Sequence, residues 1–238
     1  MDYLSEALLS LRYHKRLNPK LWDGDVLKPE VSKKLLQIAK YWIKWAKIPV
    51  SAVTDIVLVG GNANYNYTKH SDIDLHIMYD DEKFSDCPEL RDEYLKEKKQ
   101  LWSLTHDVTI FGHPVEIYAQ KISQKYPKDQ GIYNIQEKKW ILHPEQQKVD
   151  LKNPQLVQKV EDYTKKINTL IQTNAHESFF ERLKDKFKKM RASGLERGGE
   201  FSFENLLFKE LRNRGLFDKM NDHLNAKSSK LLSLKRKG

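Results

Sequence analysis

Two short segments fix most of what this chain can fold into. Ile56-Val57-Leu58-Val59 is wholly apolar and rich in β-branched residues, and Gly60-Gly61 follows it at once. Such a run bounded by a glycine pair reads as a buried strand entering a tight turn. After ten intervening residues, Asp72-Ile73-Asp74-Leu75-His76-Ile77 alternates strictly between polar and apolar side chains. A strand has a period of two, so Asp72, Asp74 and His76 share one face while Ile73, Leu75 and Ile77 take the other. At a rise of ~3.3 Å per residue the two carboxylates are rooted about 6–7 Å apart. Two anions on one face of a core strand repel each other unless a cation lies between them, and carboxylate oxygens suit the hard ion Mg²⁺. A pair of such ions ~3.5–4 Å apart could be bridged from this geometry. A half-solvated polar strand face explains the same alternation without any ion.

The rest of the chain supplies the setting. Leu4, Ala7, Leu8 and Leu11 mark a helix from Asp2 to about Arg16, ended by Leu17-Asn18-Pro19 because a residue before proline avoids helical geometry. Pro29 suits a first helical turn, and Val31, Leu35, Ile38, Ala39, Trp42 and Ala46 recur behind it at helical spacing until Pro49. Helix is expected over Glu89–Leu104. A hairpin is expected from Val108–Phe111 and Val115–Gln120 around Gly112-His113-Pro114. Trp140-Ile141-Leu142 fits a short strand or a packed loop. Beyond Pro154 the pattern is helical, with Leu156–Thr173 and Glu177–Ala192 as helices and Gly194, Gly198 and Gly199 as breakers. Ser202 is a suitable N-cap for a helix from Phe203 to about Arg214 ended by Gly215, and Lys227–Gly238 reads as a loose basic tail. The expectation is an α/β (α+β) protein: a small mixed-sheet core with N-terminal helices over residues 1–150, then a helical domain over 151–238.

Charge separates these two parts. Residues 151–238 hold 20 Lys and Arg against 11 Asp and Glu, a surplus of nine, whereas in residues 1–150 the two signs cancel at 22 each. A basic surplus confined to one part raises the case for a polyanionic partner, nucleic acid first, although a lysine-rich helical surface can simply be solvated. Cys87 is the single cysteine, which excludes an internal disulfide and a thiolate metal cluster. No apolar run approaches the ~20 residues of a membrane span. Residues Met1–Glu6 carry acids early and lack the basic-then-apolar order of a signal peptide, so a cytosolic location is expected.

A strand, Gly60-Gly61, a ten-residue gap and Asp72-Ile73-Asp74 together resemble the nucleotidyltransferase superfamily that includes DNA polymerase beta. In that superfamily a third acid lies on a following strand. Glu116, within Pro114-Val115-Glu116-Ile117-Tyr118, fits that place better than Asp107, which only begins its strand. The second glycine is often serine in the family, so here Asn62 or backbone N–H groups would substitute for its hydroxyl. The segments Met190–Glu196, Gly198–Asn205 and Lys209–Asn213, with Leu17–Trp22, also resemble a group of phage-encoded predicted nucleotidyltransferases; host cytoplasm would then be the location.

The resemblance implies transfer of a nucleoside monophosphate from an NTP, such as ATP, to an acceptor hydroxyl. Asp72, Asp74 and Glu116 would be the catalytic acids and the ligands of two Mg²⁺ ions, with Mn²⁺ as a substitute. Gly60, Gly61, Asn62, Ser71 and Lys209 are the candidate nucleotide contacts. Ser71 could equally cap the turn, and Lys69, His70, Tyr65 and Tyr67 could belong to the nucleotide cleft or to ordinary loop and packing roles. His76 shares the acid face and reads more simply as a structural histidine. Glu200, Glu204, Asn205 and Arg212 around Lys209 suit a helix closing over a triphosphate, or plain capping and surface pairing. RNA bound through the basic C-terminal part, with a tRNA 3′ end as one form, is the leading acceptor. Nucleotidylation of a small molecule or a protein, and a non-catalytic RNA-binding module on the same fold, are the competing readings. Protein partners are not indicated, and no membrane is.

Overall fold

The computed structural model describes residues 9–84, 87–124 and 130–234. They form two compact units, one of residues 12–148 and one of residues 149–234 with 9–11. The first opens with a small hairpin, β1 (Trp22–Asp23) and β2 (Val26–Leu27), and helix α1 (Pro29–Trp45). Six strands follow: β3 (Val53–Val59), β4 (Ile73–Tyr79), β5 (Thr109–Ile110), β6 (His113–Lys121), β7 (Ile132–Asn134) and β8 (Lys139–Leu142), with helix α2 (Pro88–Thr105) between β4 and β5. They make one mixed sheet in the order β5-β6-β4-β3-β7-β8. The pair β4 and β6 is parallel and the others are antiparallel. A parallel pair cannot be joined by a tight turn, and the α2 crossover meets that need.

The alternation in β4 decides which face is which. Ile73, Leu75 and Ile77 are fully buried and join Ile56, Leu58, Val115 and Ile117 in a large core. Leu35, Ile38, Ala39 and Trp42 of α1 and Leu95 and Trp102 of α2 belong to the same core. Truncating a residue such as Trp42, which has no exposed surface, costs roughly 3–5 kcal/mol in cores of this kind. On the opposite face Val57, Val59, Met78 and Ile132 form a smaller cluster, and Asp72, Asp74 and His76 are only partly covered.

The second unit is helical: α3 (Pro154–Gln172), α4 (Glu177–Gly198), α5 (Phe203–Asn213) and α6 (Leu216–Leu232). Asn153 caps α3 by accepting from the N–H groups of Gln155 and Leu156, and Ser202 caps α5 by accepting from Asn205. Val160, Ile167, Phe180, Phe187, Leu211 and Met220 are its buried centre. Glu210, 1% exposed, accepts from the backbone N–H of Ser10 at 2.8 Å, from its hydroxyl at 2.7 Å and from Arg214 Nε at 2.9 Å.

Several expectations need correcting. Residues 9–16 are not helical; Leu9 and Leu11 are buried in the core of the second unit, so their spacing follows burial and not a helical stripe, while Leu4, Ala7 and Leu8 lie outside the described residues. Gly194 does not break α4. A Cβ there would lie 2.7 Å from Cβ of Glu204 and 2.8 Å from Oγ of Ser202, so the glycine lets α4 press against the start of α5. Residues 227–232 are the end of α6 and not a loose tail; residues 235–238 lie outside the described residues. The β1–β2 hairpin and β7 are additions to the expected elements.

Candidate active site

The end of β3 shapes the site. Val59 pairs with Asp74 across the antiparallel ladder, and the chain then turns through Gly60 at φ 76, ψ −161 into a 3-10 turn, Gly61–Ala63. That backbone region is essentially restricted to glycine. A Cβ on residue 60 would lie 1.7 Å from Oδ2 of Asp74 and 2.7 Å from its Cγ. The carboxylate of Asp74 therefore occupies the space that a side chain at position 60 would take. Gly61 is less constrained, since its Cβ would meet Ser71 Oγ at 3.3 Å.

A buried polar cluster fixes the approach to Asp72. Asn62 has no exposed surface. Its Nδ2 donates to the carbonyl oxygens of Ser71 at 3.2 Å and Asp72 at 2.8 Å, and its Oδ1 accepts from Asn18 Nδ2 at 2.9 Å. Its own carbonyl accepts from Trp22 Nε1 at 2.7 Å. His113 Nδ1 faces the Ser71 carbonyl at 2.7 Å and its Nε2 faces Asn18 Nδ2 at 3.1 Å. A carbonyl only accepts and an amide nitrogen only donates, so in these two contacts Nδ1 is the donor and Nε2 the acceptor. The Asn62 side chain is thus spent on holding the turn, and only its backbone is left for a phosphate. Ser71 Oγ accepts from the Thr68 N–H at 2.9 Å, which is a turn-capping role.

The third acid arrives by register. In the parallel ladder Asp74 stands beside Glu116, Ile73 beside Val115 and Leu75 beside Ile117. Neighbouring strands lie ~4.8 Å apart, and registered residues share a face. Asp72, Asp74 and Glu116 each present a carboxylate oxygen, all within 4.8 Å of one another. Asp72 and Asp74 are half-buried and Glu116 is exposed. Asp107, the rival for third acid, precedes β5 and is not part of this group. An all-carboxylate set of this size fits a hard divalent cation such as Mg²⁺ or Mn²⁺. Lys99 of α2 brings its ammonium to 3.4 Å from Glu116 Oε2.

The other candidates divide by location. His76 Nδ1 meets Gln120 Oε1 at 2.6 Å; burial pushes its pKa below the ordinary value and the Lys99 charge adds to this, the bond to Gln120 opposing. Tyr65 is buried and Tyr67 stacks on His14 with ring centroids 3.9 Å apart, while Lys69 and His70 are exposed. Lys209 belongs to α5 in the second unit, where its ammonium pairs with Glu200. Asn205 donates to the Glu200 carbonyl at 2.6 Å, and Arg212 is exposed. Asn18, His113 and Lys99 join the site without being among its expected residues. Asn18 and His113 lie beside prolines in stretches that read as breakers, and Lys99 is one of three lysines on α2, so none carries a sequence signal for this position.

The profile of the family described as nucleotidyltransferase domain matches residues 37–179. No curated protein matches the chain. A solved structure, the STING-associated CdnE c-di-GMP synthase from Capnocytophaga granulosa, is similar at 15% identity over 84% of this chain and 68% of that chain, with a TM-score of 0.23. The profile spans more than half of the chain and takes in the glycine turn, the acid-bearing strand and the parallel neighbour that brings the third carboxylate alongside, and on that basis the chain belongs to the nucleotidyltransferase domain family and is a nucleotidyltransferase.

Proposed function

We propose that the enzyme transfers a nucleoside monophosphate from an NTP to a hydroxyl of RNA, releasing pyrophosphate, with Asp72, Asp74 and Glu116 as its metal-binding acids. The observation that carries this reading is the parallel register of Asp74 with Glu116, because it turns a strand with two acids into a three-carboxylate cluster. Bound by these oxygens, divalent cations would neutralise the triphosphate and acidify the acceptor hydroxyl. Asp72, Asp74 and Glu116 would hold these ions, with Glu116 nearest the acceptor hydroxyl. Glu116 also accepts the hydroxyl proton as the acceptor oxygen attacks the α-phosphorus. The bond from that phosphorus to the β-phosphate oxygen breaks, and pyrophosphate leaves. Gly60 and Gly61 admit the triphosphate close to the backbone, whose N–H groups are its donors. Asn62, through the Ser71 and Asp72 carbonyls, keeps Asp72 aimed.

RNA as acceptor is supported by the charge surplus of residues 151–238, which suits a phosphodiester backbone. In this reading the sheet-bearing unit carries the reacting groups, and the basic surface of the helical unit suits the phosphates of the acceptor. The test is incubation with Mg²⁺, each α-labelled NTP in turn and total RNA, beside an Asp72→Ala/Asp74→Ala control. Label in RNA that is lost in the control is the expected result. Label entering a protein band or a small molecule instead would replace RNA as the acceptor.

A further inference from the structure

Lys99 links the acid cluster to a second feature of the same unit. Besides pairing with Glu116, its ammonium lies 5.2 Å from the centroid of the Tyr118 ring. Both residues line a cleft of about 400 Å³ formed by α2 and the β6 edge. On that side β5 pairs with β6 only at His113 and Pro114, and among the described residues no strand covers the edge beyond them. The floor is apolar and buried, made by Tyr79 and Leu95, whereas Tyr118 is 40% exposed. Lys96, Lys99 and Lys121 stand around it. Lys121 is paired with Asp92 at 2.7 Å, and Lys96 is exposed.

An apolar floor beside an exposed aromatic ring favours a flat ring, and ammonium groups around it favour an anion; a nucleotide offers both. We infer that this cleft receives the terminal nucleotide of the RNA acceptor, its base packed on Tyr118 and its phosphate beside Lys96 and Lys99. The inference rests on the RNA-acceptor reading above and adds where the acceptor end is held. Lys99 sets the direction, because the residue that would meet the phosphate already touches Glu116, the acid assigned to the acceptor hydroxyl. On binding, Lys99 exchanges the ring face for the phosphate.

The test measures equilibrium binding by fluorescence anisotropy, with neither NTP nor divalent cation. The probes are a 5′-labelled ten-nucleotide single-stranded RNA and the same RNA with an abasic 3′-terminal residue. Wild-type protein should bind the abasic RNA about 5- to 150-fold more weakly, the range for one base on one aromatic side chain. Tyr118→Leu should bind both RNAs alike, near the abasic level, and Tyr118→Phe should discriminate as wild type does. Residue 118 is partly exposed on a strand, so both variants are expected to fold. Discrimination that survives in Tyr118→Leu, or is absent from the wild type, overturns the assignment, as does a wild type that binds neither RNA. Because no turnover is needed, the two readings fail separately. Labelling of RNA with discrimination indifferent to Tyr118 removes the cleft alone; Tyr118-dependent discrimination without labelling removes transfer to RNA alone.

Discussion

Replacing Gly60 with alanine isolates the close fit between the glycine turn and Asp74. Two costs are involved. The backbone at φ 76, ψ −161 would hold a residue that avoids this region, at roughly 1–3 kcal/mol. The new methyl would also start 1.7 Å from Asp74 Oδ2, whereas real Cβ contacts do not fall below 3.0 Å, so the carboxylate has to swing away from Asp72 and Glu116. A displacement on the order of 1 Å at a reacting centre can cost about 10²-fold in rate. Gly24→Ala is the matched control. Gly24 also has positive φ, +58, but a Cβ there would have nothing within 4 Å, so it carries only a backbone penalty of about 1–2 kcal/mol. Urea denaturation should show both variants destabilised, Gly60→Ala at least as much as Gly24→Ala. Mn²⁺ titration and the initial rate of label transfer should separate them, with Gly60→Ala losing most of both and Gly24→Ala neither. Equal metal affinity and equal rates in the two variants would refute the argument that Gly60 makes room for a working Asp74.

Saturating Mg²⁺ should stabilise the wild type, by about 2.7 kcal/mol at a hundred times the dissociation constant, and Asp74→Asn should abolish the shift in a thermal melt. Asn62→Leu removes the donors that the Ser71 and Asp72 carbonyls use; leaving buried groups unsatisfied costs about 1–3 kcal/mol each, so a urea midpoint close to wild type would contradict the role given to this cluster. Glu210→Ala strips a buried carboxylate from Arg214 and Ser10; Arg214 keeps Glu161, so the expected loss is about 1–3 kcal/mol from the unsatisfied Ser10 groups, with faster hydrogen exchange at the Ser10 amide. Gly194→Ala should push α4 off the start of α5 and cost about 1–3 kcal/mol, measured in the same way.

What can be read from the sequence follows from local periodicity. The alternation of Asp72 to Ile77 places β4 and its two faces, and the proline and glycine boundaries place α1 and α5 within a few residues. Glu116 is preferred over Asp107 because its neighbours Val115 and Ile117 alternate with it. That it stands directly beside Asp74 depends on parallel pairing between segments far apart in the chain, which no local pattern encodes. Gly24-Asp25 between Trp22-Asp23 and Val26-Leu27 is a hairpin signal, but its strands are too short to show an alternation. The helical reading of residues 9–16 fails because Leu9 and Leu11 are buried by long-range packing, which overrides a short apolar spacing. Gly194 misleads for a related reason: a glycine that breaks a helix and a glycine that lets two helices touch look the same without the partner. The cluster of Asn18, Asn62 and His113 is illegible, because polar residues signal burial only when their partners are known.

The parallel pairing of β4 with β6 also orders events in time. The β3–β4 hairpin can form early, since its partners are close along the chain, and it already sets Asp74 against the Gly60 turn. Glu116 joins them only after the stretch through α2 has closed back onto β4, a non-local step whose loop entropy is lost before its contacts are gained. By that argument the full three-carboxylate site is expected to form after the β3–β4 pair. A cation that needs all three acids would oppose the parting of β6 from β4, and so act as a lock on the crossover as well as a participant in the chemistry.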